Sequence, residues 1–281
     1  MAFEAQEALK VGDLGQCEKL LMEAVRAKPG AVELRAFLAQ LSLIMGRWQR
    51  AENQFKLLGE LSPKAKQVSD AYRAAAAAEV MRADVFAGKT RPIIFGTPPA
   101  WCAQLSEGLR LEADGELAAA AEVRLVALEA ADECAGLIDG VPFQWLGDAD
   151  SRLGPVAEMI VGGIYHWVPF SSIAGISIGP PSDLRDAAWV EAEVEFVNGA
   201  AMGVLIASRY PGSENENSLA LSRRTEWREM GHGLAAGIGQ RILVSDQDEY
   251  PFLSVRIIAF DRPESEKQDS GALAAGGDNL G

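Results

Sequence analysis

The chain of 281 residues is longer than one average domain, and 48% of its residues are hydrophobic, so two domains with ordinary cores are expected. Its 40 acidic and 26 basic residues give a net charge of −14, which disfavours binding to nucleic acid or to an anionic membrane surface. The three cysteines, Cys17, Cys102 and Cys134, form no CxxC pair, which argues against a disulfide framework or a zinc knuckle and favours a reducing cytosol.

The amino terminus predicts neither a secretory signal nor a membrane anchor. Its first ten residues, MAFEAQEALK, carry acidic side chains and lack the basic flank and apolar stretch of a signal peptide. Elsewhere, Gly or a charged residue interrupts each apolar stretch well before the roughly 20 residues needed to cross a bilayer. A cytoplasmic protein is therefore expected.

The amino-terminal sequence repeats with a step of 34 residues, which is the length of a tetratricopeptide (TPR) helix pair. Gly12 and Pro29 of the first copy correspond to Gly46 and Pro63 of the second. Glycine turns the chain between two helices, small or apolar residues line the helix contact, and proline ends the second helix. We therefore predict a TPR-like helical array in residues 1–139.

A third, weaker copy can be aligned at Gly108, Gly115, Leu117, Ala120 and Ala127, with Asp132 in place of the proline. A strong helix-forming stretch at residues 71–86 is interpreted as a degenerate repeat. Residues 88–99 contain three prolines and two glycines, which forbid a continuous helix there. Helix-pair arrays expose a concave face that suits capture of a peptide. The alternative is that these helices only pack against one another.

From about residue 140 the sequence changes to short runs of β-branched and aromatic residues. These runs predict a mainly antiparallel β-rich domain over residues 140–262, and the whole chain is therefore expected to have an α+β fold. Residues 155–161 and 164–168 flank Gly162-Gly163, a hairpin signal. A second hairpin is expected around Asn198-Gly199, with a type I′ turn.

The stretch WVEAEVEF at residues 189–196 places Glu191, Glu193 and Glu195 on one face of a strand, and a solvated sheet face is the simplest interpretation. Further strands are expected at residues 218–222, 241–244 and 252–260, with a Gly-rich loop at 231–239. Residues 263–281 lack bulky apolar side chains apart from two leucines and predict a disordered tail.

Groups for catalysis are few. The two histidines, His166 and His232, are interpreted as a strand residue and a loop residue. Asp148 and Asp150 could form a metal site, but the rest of a calcium loop is missing, and a turn in which Arg152 neutralises one of them is the simpler interpretation. No GxSxG elbow and no phosphate loop occur, so no catalytic residue, cofactor or metal is predicted.

Several aromatic and arginine side chains are of the types enriched at interface hot spots, although each is also an ordinary core residue of a β-rich domain. The predicted partner-binding residues are Trp48, Tyr72, Trp101, Trp145, Arg152, Trp167, Arg209 and Tyr210.

Five short stretches, in this order, resemble the ImpE family, also called TagJ or SciE-type proteins. They are DSRLGP (150–155), YHWVPF (165–170), LRD (184–186), RYPGS (209–213) and GQR (239–241). The resemblance extends from about residue 6 to residue 261. It implies a cytoplasmic accessory subunit of a type VI secretion system that contacts the small sheath protein, by that protein's amino-terminal helix, and the AAA+ ATPase that disassembles contracted sheath. It implies no catalytic residues.

Two other functions stay open from the sequence. One is a metal-dependent or other hydrolase in the β-rich half, with Asp148, Asp150 and His166 as its polar cluster; it requires these side chains to converge in a pocket. The other is a TPR-type chaperone for secreted effectors, which would bind many substrates rather than one sheath protein.

Overall fold

A computed structural model describes residues 2–261, and the predicted tail at 263–281 lies outside this range. Seven helices occupy the first half of the chain. They are α1 (Ala2–Lys10), α2 (Leu14–Ala27), α3 (Val32–Ile44), α4 (Trp48–Leu61), α5 (Lys66–Phe86), α6 (Ala100–Ala113) and α7 (Leu117–Glu129). Consecutive helices pack against each other from α1 to α5, and α6 packs against α7. This arrangement confirms the predicted helical array.

The turns between paired helices follow the predicted chemistry. Gly12, Gly46 and Gly115 each precede the second helix of a pair and have positive φ angles of 84°, 65° and 83°. An L-residue with a side chain rarely adopts this conformation, so glycine is favoured there. The Asp13 carboxylate then caps α2 by accepting a hydrogen bond from the Gln16 N–H at 2.9 Å.

Helix α5 departs from the repeat. It is one continuous helix of 21 residues, and the stretch 71–86 that was interpreted as a degenerate repeat forms its carboxy-terminal part. The following segment is non-helical, as its prolines predicted, but it contains a two-residue strand, β1 (Ile93–Ile94), that the sequence did not indicate. This strand pairs in parallel with β6 (Ile164–Pro169).

The second half of the chain contains the remaining strands and one short helix, α8 (Asn217–Ala220). The strands before α8 are β2 (Gly136–Ile138), β3 (Val141–Phe143), β4 (Leu146–Asp148), β5 (Val156–Val161), β6, β7 (Ile173–Ile178), β8 (Trp189–Phe196) and β9 (Ala201–Ala207). Those after it are β10 (Thr225–Gly231), β11 (Leu234–Gly239), β12 (Ile242–Ser245), β13 (Glu249–Pro251) and β14 (Ile257–Phe260).

Nine strands form the main sheet, in the order β1-β6-β5-β9-β8-β7-β14-β2-β3, and all pairs except β1 with β6 are antiparallel. A three-stranded sheet, β13-β12-β4, and the β10-β11 hairpin complete the fold. The mainly antiparallel α+β prediction is therefore confirmed. Apart from β1, the strands of the main sheet begin at Gly136, a few residues before the predicted domain boundary, which stays a prediction.

Both predicted hairpins form, and one has a different turn. Strands β5 and β6 meet at Gly162-Gly163, whose φ angles are 58° and 83°. Between β8 and β9 only Gly199 has positive φ, at 82°, and its N–H bonds the Phe196 carbonyl at 2.9 Å. The expected type I′ turn at Asn198-Gly199 was therefore wrong, because the turn is centred one residue earlier and Gly199 follows it as a bulge.

Two other local predictions were wrong. Residues 218–222, expected as a strand, contain helix α8, whose first turn is capped by the Glu216 carboxylate accepting from the Ser218 N–H at 3.0 Å. Residues 231–239, expected as a loop, contain strand β11, paired with β10. Its glycines permit close contacts, since a Cβ on Gly237 would lie 2.3 Å from the Tyr210 ring. The strand expected at residues 252–260 is present in part, as β14, whereas Phe252–Ser254 forms a 3-10 turn.

The main sheet separates two buried clusters. One face carries Tyr165, Trp167 and Trp189 and packs against the helices in a cluster that joins both halves of the chain. The other face carries residues such as Val168 and Val190 and packs with side chains of β12 and the 252–254 turn. The helical array is thus fixed on one face of the sheet, and it leaves part of that face uncovered.

Candidate functional site

A groove of about 1090 Å³ lies between the amino-terminal half of α5 and the uncovered part of the sheet. Its helical side is formed by residues 67–74, and its floor by segments of β7, β8, β9 and β14. Most soluble monomers expose few concave surfaces of this size, so the groove is the best candidate for a binding site.

The floor of the groove follows from strand register. Ile257 pairs with Ser177, Ser177 with Glu193, and Glu193 with Gly203, so these four residues form one row across the four strands. Residues of β8 alternate between exposed and buried, which confirms that its glutamates share one face. That face is the groove floor, and its small neighbours Ser177 and Gly203 keep it open.

The wall on α5 is held by an aromatic and ionic contact. The Tyr72 hydroxyl donates to the Glu191 carboxylate, and the Arg185 guanidinium donates to the same carboxylate at 3.0 Å. Arg185 also lies over the Tyr72 ring, 4.6 Å from its centroid. These contacts fix one carboxylate at the edge of the groove.

Close packing sets the distance between α5 and the sheet. A Cβ on Gly163 would lie only 2.7 Å from the Ala74 Cβ, so the β5-β6 turn approaches the helix to a distance that only glycine allows. Because Gly163 also has a positive φ, the Gly-Gly turn serves both the hairpin and the helix contact.

Beside the groove, a buried ionic network ties α5 to the strands. Arg82 on α5 donates to Glu158 on β5, and Arg241 before β12 donates to both Glu158 and Asp148. Burial alone would raise the pKa of Glu158, but the guanidinium groups of Arg82 and Arg241 outweigh it and lower the pKa to about 2. Burial raises the pKa of Asp148 to about 7, despite the neighbouring Arg241. The network positions the helical wall rather than contacting solvent.

Arg209 makes a second link between the halves. It donates to the carbonyls of Leu43 and Ile44 at the end of α3, at 3.1 and 2.9 Å, and to the Ala220 carbonyl. Burial lowers the pKa of Arg209 to about 10. The Leu43 carbonyl also accepts from the Gly46 N–H at 3.0 Å, so the guanidinium adds a second donor there and satisfies the Ile44 carbonyl at the helix end.

The predicted turn around Asp150 is present. The buried Asp150 carboxylate accepts from the Arg152 Nε and also from the Gly237 N–H, at 2.9 Å each. Arg152 therefore neutralises Asp150, as interpreted from the sequence, while Asp148 pairs with Arg241.

Of the eight predicted partner-binding residues, the groove includes Tyr72 alone. Trp48 is partly buried and stacks on Trp189, at 6.4 Å between ring centroids, and Trp145 is exposed. The other five are buried within the chain: Trp101, Arg152, Trp167, Arg209 and Tyr210. A partner-binding role for all eight residues stays a prediction.

The cluster required by the hydrolase alternative does not form, and that interpretation was wrong on this point. Strand β6 points Tyr165 and Trp167 toward the buried network, so His166 lies on the opposite face, where its ring contacts Phe95 at 5.9 Å. Asp148 and Asp150 are engaged by arginines. Within residues 2–261, no three His, Cys, Asp or Glu side chains are grouped to hold a metal ion.

Sequence reasoning missed most of the groove. Its apolar rims, Val68 and Ile257, are 51% and 57% exposed, and neither stood out in the sequence. The alternating glutamates of β8 were the one visible signal, and they were interpreted as an ordinary solvated face. No helix in the described part of the chain is both long and apolar enough to span a bilayer.

Comparison with known proteins matches a family model, a named relative and a solved structure. A family model described as "ImpE protein" matches residues 140–259. The type VI secretion system accessory component TagJ of Pseudomonas aeruginosa is 40% identical over 263 residues, covering 93% of this chain and 92% of that protein. A crystal structure of protein VPA1032 from Vibrio parahaemolyticus has a TM-score of 0.86 at 23% identity, covering 93% of this chain and 99% of that one, and supports the fold.

Proposed function

The chain belongs to the ImpE/TagJ family, and from that premise we propose that it is a non-enzymatic accessory subunit of a type VI secretion system. It acts as an adaptor in the cytoplasm, binding the amino-terminal helix of the small sheath subunit and linking it to the AAA+ ATPase that disassembles contracted sheath. The groove between α5 and the sheet is the surface that receives the sheath helix.

The groove is the observation that carries this proposal. It is concave, it combines apolar rims with a floor that carries carboxylates, and the buried ion pair from Arg82 to Glu158 fixes its α5 wall on the sheet. Such rigidity reduces the entropy lost when a partner segment binds. A helix inserted in a groove buries its apolar face and exposes the rest, which leaves the partner's remaining chain free to reach the ATPase.

Gly203→Phe provides a direct test. Gly203 lies on the floor, lacks a positive φ, and has no other atom within 4 Å of the point where a Cβ would lie, so a phenyl ring fills the groove without backbone strain. Purified small sheath subunit and ATPase are each passed over the immobilised protein. We expect both to be retained by the unaltered chain, and the sheath subunit to be lost with Gly203→Phe.

Gly30→Phe is the matched control, because Gly30 is exposed between α2 and α3, away from the groove, and also has open space around its Cβ position. It should retain the sheath subunit. If the unaltered chain binds neither the sheath subunit nor the ATPase, the adaptor function is refuted. Equal, non-saturating retention of unrelated secreted effectors would instead support the chaperone alternative.

A further inference from the structure

We propose that the groove selects its occupant by charge: it takes an amphipathic α-helix that carries Lys or Arg beside its apolar face, and Glu193 is the residue that selects it. This inference rests on the proposed function and adds the chemistry of the partner segment.

The floor favours a helix over an extended peptide. The central strands β7, β8 and β9 already bond their neighbours on both sides, so the floor offers side chains rather than free backbone groups. An extended peptide lying there would leave its own N–H and C=O groups without partners, whereas a helix satisfies them internally.

The dimensions fit a short helix. The floor crosses four adjacent strands, which spans about 14 Å at a spacing of ~4.8 Å. The α5 wall runs from Gln67 to Ala74, about 10 Å at 1.5 Å per residue. Two to three helical turns therefore match the groove. The exposed Val68 and Ile257 lie on its two sides, with Leu205 on the floor, and provide contacts for the apolar face of such a helix.

The charges in the groove are mainly negative. Its lining includes the carboxylates of Asp70, Glu191 and Glu193 and one cation, Arg256. Asp70 is paired with Lys66 at 2.7 Å, Glu191 is bonded by Tyr72 and Arg185, and Arg256 donates to the carbonyls of its own turn. No side chain within residues 2–261 pairs with the Glu193 carboxylate, which lies at the centre of the floor.

An occupant without a cation would place its apolar surface over this carboxylate and remove water from it, which is unfavourable. An occupant with Lys or Arg at that point instead forms an ion pair in a partly desolvated site, where electrostatic attraction is stronger than at an open surface. The net charge of −14 adds a general attraction for basic segments.

Two synthetic helical peptides of about 12 residues test this inference. They share the same Leu and Ala positions and differ only in carrying Lys or Glu beside the apolar face. Fluorescence anisotropy of the labelled peptides against the full chain measures the affinity. We expect the Lys peptide to bind and the Glu peptide to bind at least about tenfold more weakly.

Glu193→Lys should reverse this preference. Glu193→Gln should lower the affinity for the Lys peptide without raising the affinity for the Glu peptide. Glu229→Lys is the matched control: Glu229 is an exposed strand residue on β10, outside the groove, so the variant makes the same change in net charge. Equal affinity for the two peptides, or the same loss in Glu193→Lys and Glu229→Lys, would overturn the charge selection.

The small sheath subunit separates the two proposals. If Gly203→Phe abolishes its retention and Glu193→Lys leaves it unchanged, the adaptor function stands and the charge selection fails. If the unaltered chain prefers the Lys peptide but retains no sheath subunit, the groove has the inferred chemistry and the adaptor function fails.

Discussion

Arg82 on α5 and Glu158 on β5 form a buried two-point ion pair, in which the arginine Nε lies 2.7 Å from Oε1 and its Nη2 lies 3.0 Å from Oε2. The same Nη2 also donates to the Arg209 carbonyl at 2.8 Å. A single side chain of the helical array is thus joined to two segments of the β-rich half, next to the groove that the array and the sheet form together.

Arg82→Met is expected to lower the free energy of unfolding by about 3–5 kcal/mol. The substitution removes one of the two arginines that pair with the Glu158 carboxylate, which stays buried away from water. Urea denaturation followed by tryptophan fluorescence measures the change. Arg91→Met is the control, since Arg91 is largely exposed and lies 3.7 Å from Glu107. It should leave the midpoint nearly unchanged. Similar midpoints for the two variants would contradict a structural role for the pair.

Glu158 should make the free energy of unfolding depend on pH in the acid range. Its pKa is about 2 in the folded chain against an ordinary value of 4.5, a difference that corresponds to about 3 kcal/mol. Since the folded-state pKa is the lower one, this stabilisation is present above pH 4.5 and is lost as the pH falls toward 2. Glu158→Gln cannot titrate there. The gap in unfolding free energy between the unaltered chain and this variant should shrink as the pH falls from about 4.5 toward 3.

Gly163→Ala should destabilise the chain more than Gly199→Ala. Both glycines end hairpin turns with φ near 83°, so both substitutions carry the same backbone strain of about 1 kcal/mol. Only the Cβ on Gly163 meets another residue, Ala74 of α5 at 2.7 Å. Thermal unfolding of both variants measures the difference. Adding Ala74→Gly should recover part of the loss in Gly163→Ala, and no recovery would exclude crowding as its cause.

The sequence predicted those elements whose signals are local. The Gly162-Gly163 hairpin was predicted because two runs of alternating residues flank a turn dipeptide, and the paired helices because Gly12 and Gly46 mark their turns. Strand β11 was missed because its glycines resemble a loop. The structural role of these glycines is visible only in the folded chain, where Gly237 makes room for the Tyr210 ring.

The groove and the ionic network could not be predicted because they depend on residues far apart in the chain. Arg82 and Glu158 are 76 residues apart, and the floor row joins β14 to β7, β8 and β9 through strand register. The glutamates of β8 were seen, but the sequence could not show that α5 would form a wall beside them. Periodicity identifies a face, whereas only packing shows what lies opposite it.

Arg209→Lys should be as disruptive as the loss of a buried ion pair, although it keeps the charge. The guanidinium donates to three carbonyls, those of Leu43, Ile44 and Ala220, and a lysine ammonium, which is a compact charge on a flexible four-carbon stem, cannot reproduce this planar geometry. The Ile44 carbonyl at the end of α3 would lose its donor at a cost of about 1–3 kcal/mol, whereas the Leu43 carbonyl would keep the Gly46 N–H. Hydrogen exchange should show faster opening of residues 43–46, and urea denaturation should show a lower midpoint.

Arg110→Lys serves as the control, because Arg110 is exposed and bonds Glu107 and Asp114. Because Arg209 joins α3 to the β-rich half, protection should fall on both sides of this contact; loss confined to α3 would show that the guanidinium acts only as a helix cap.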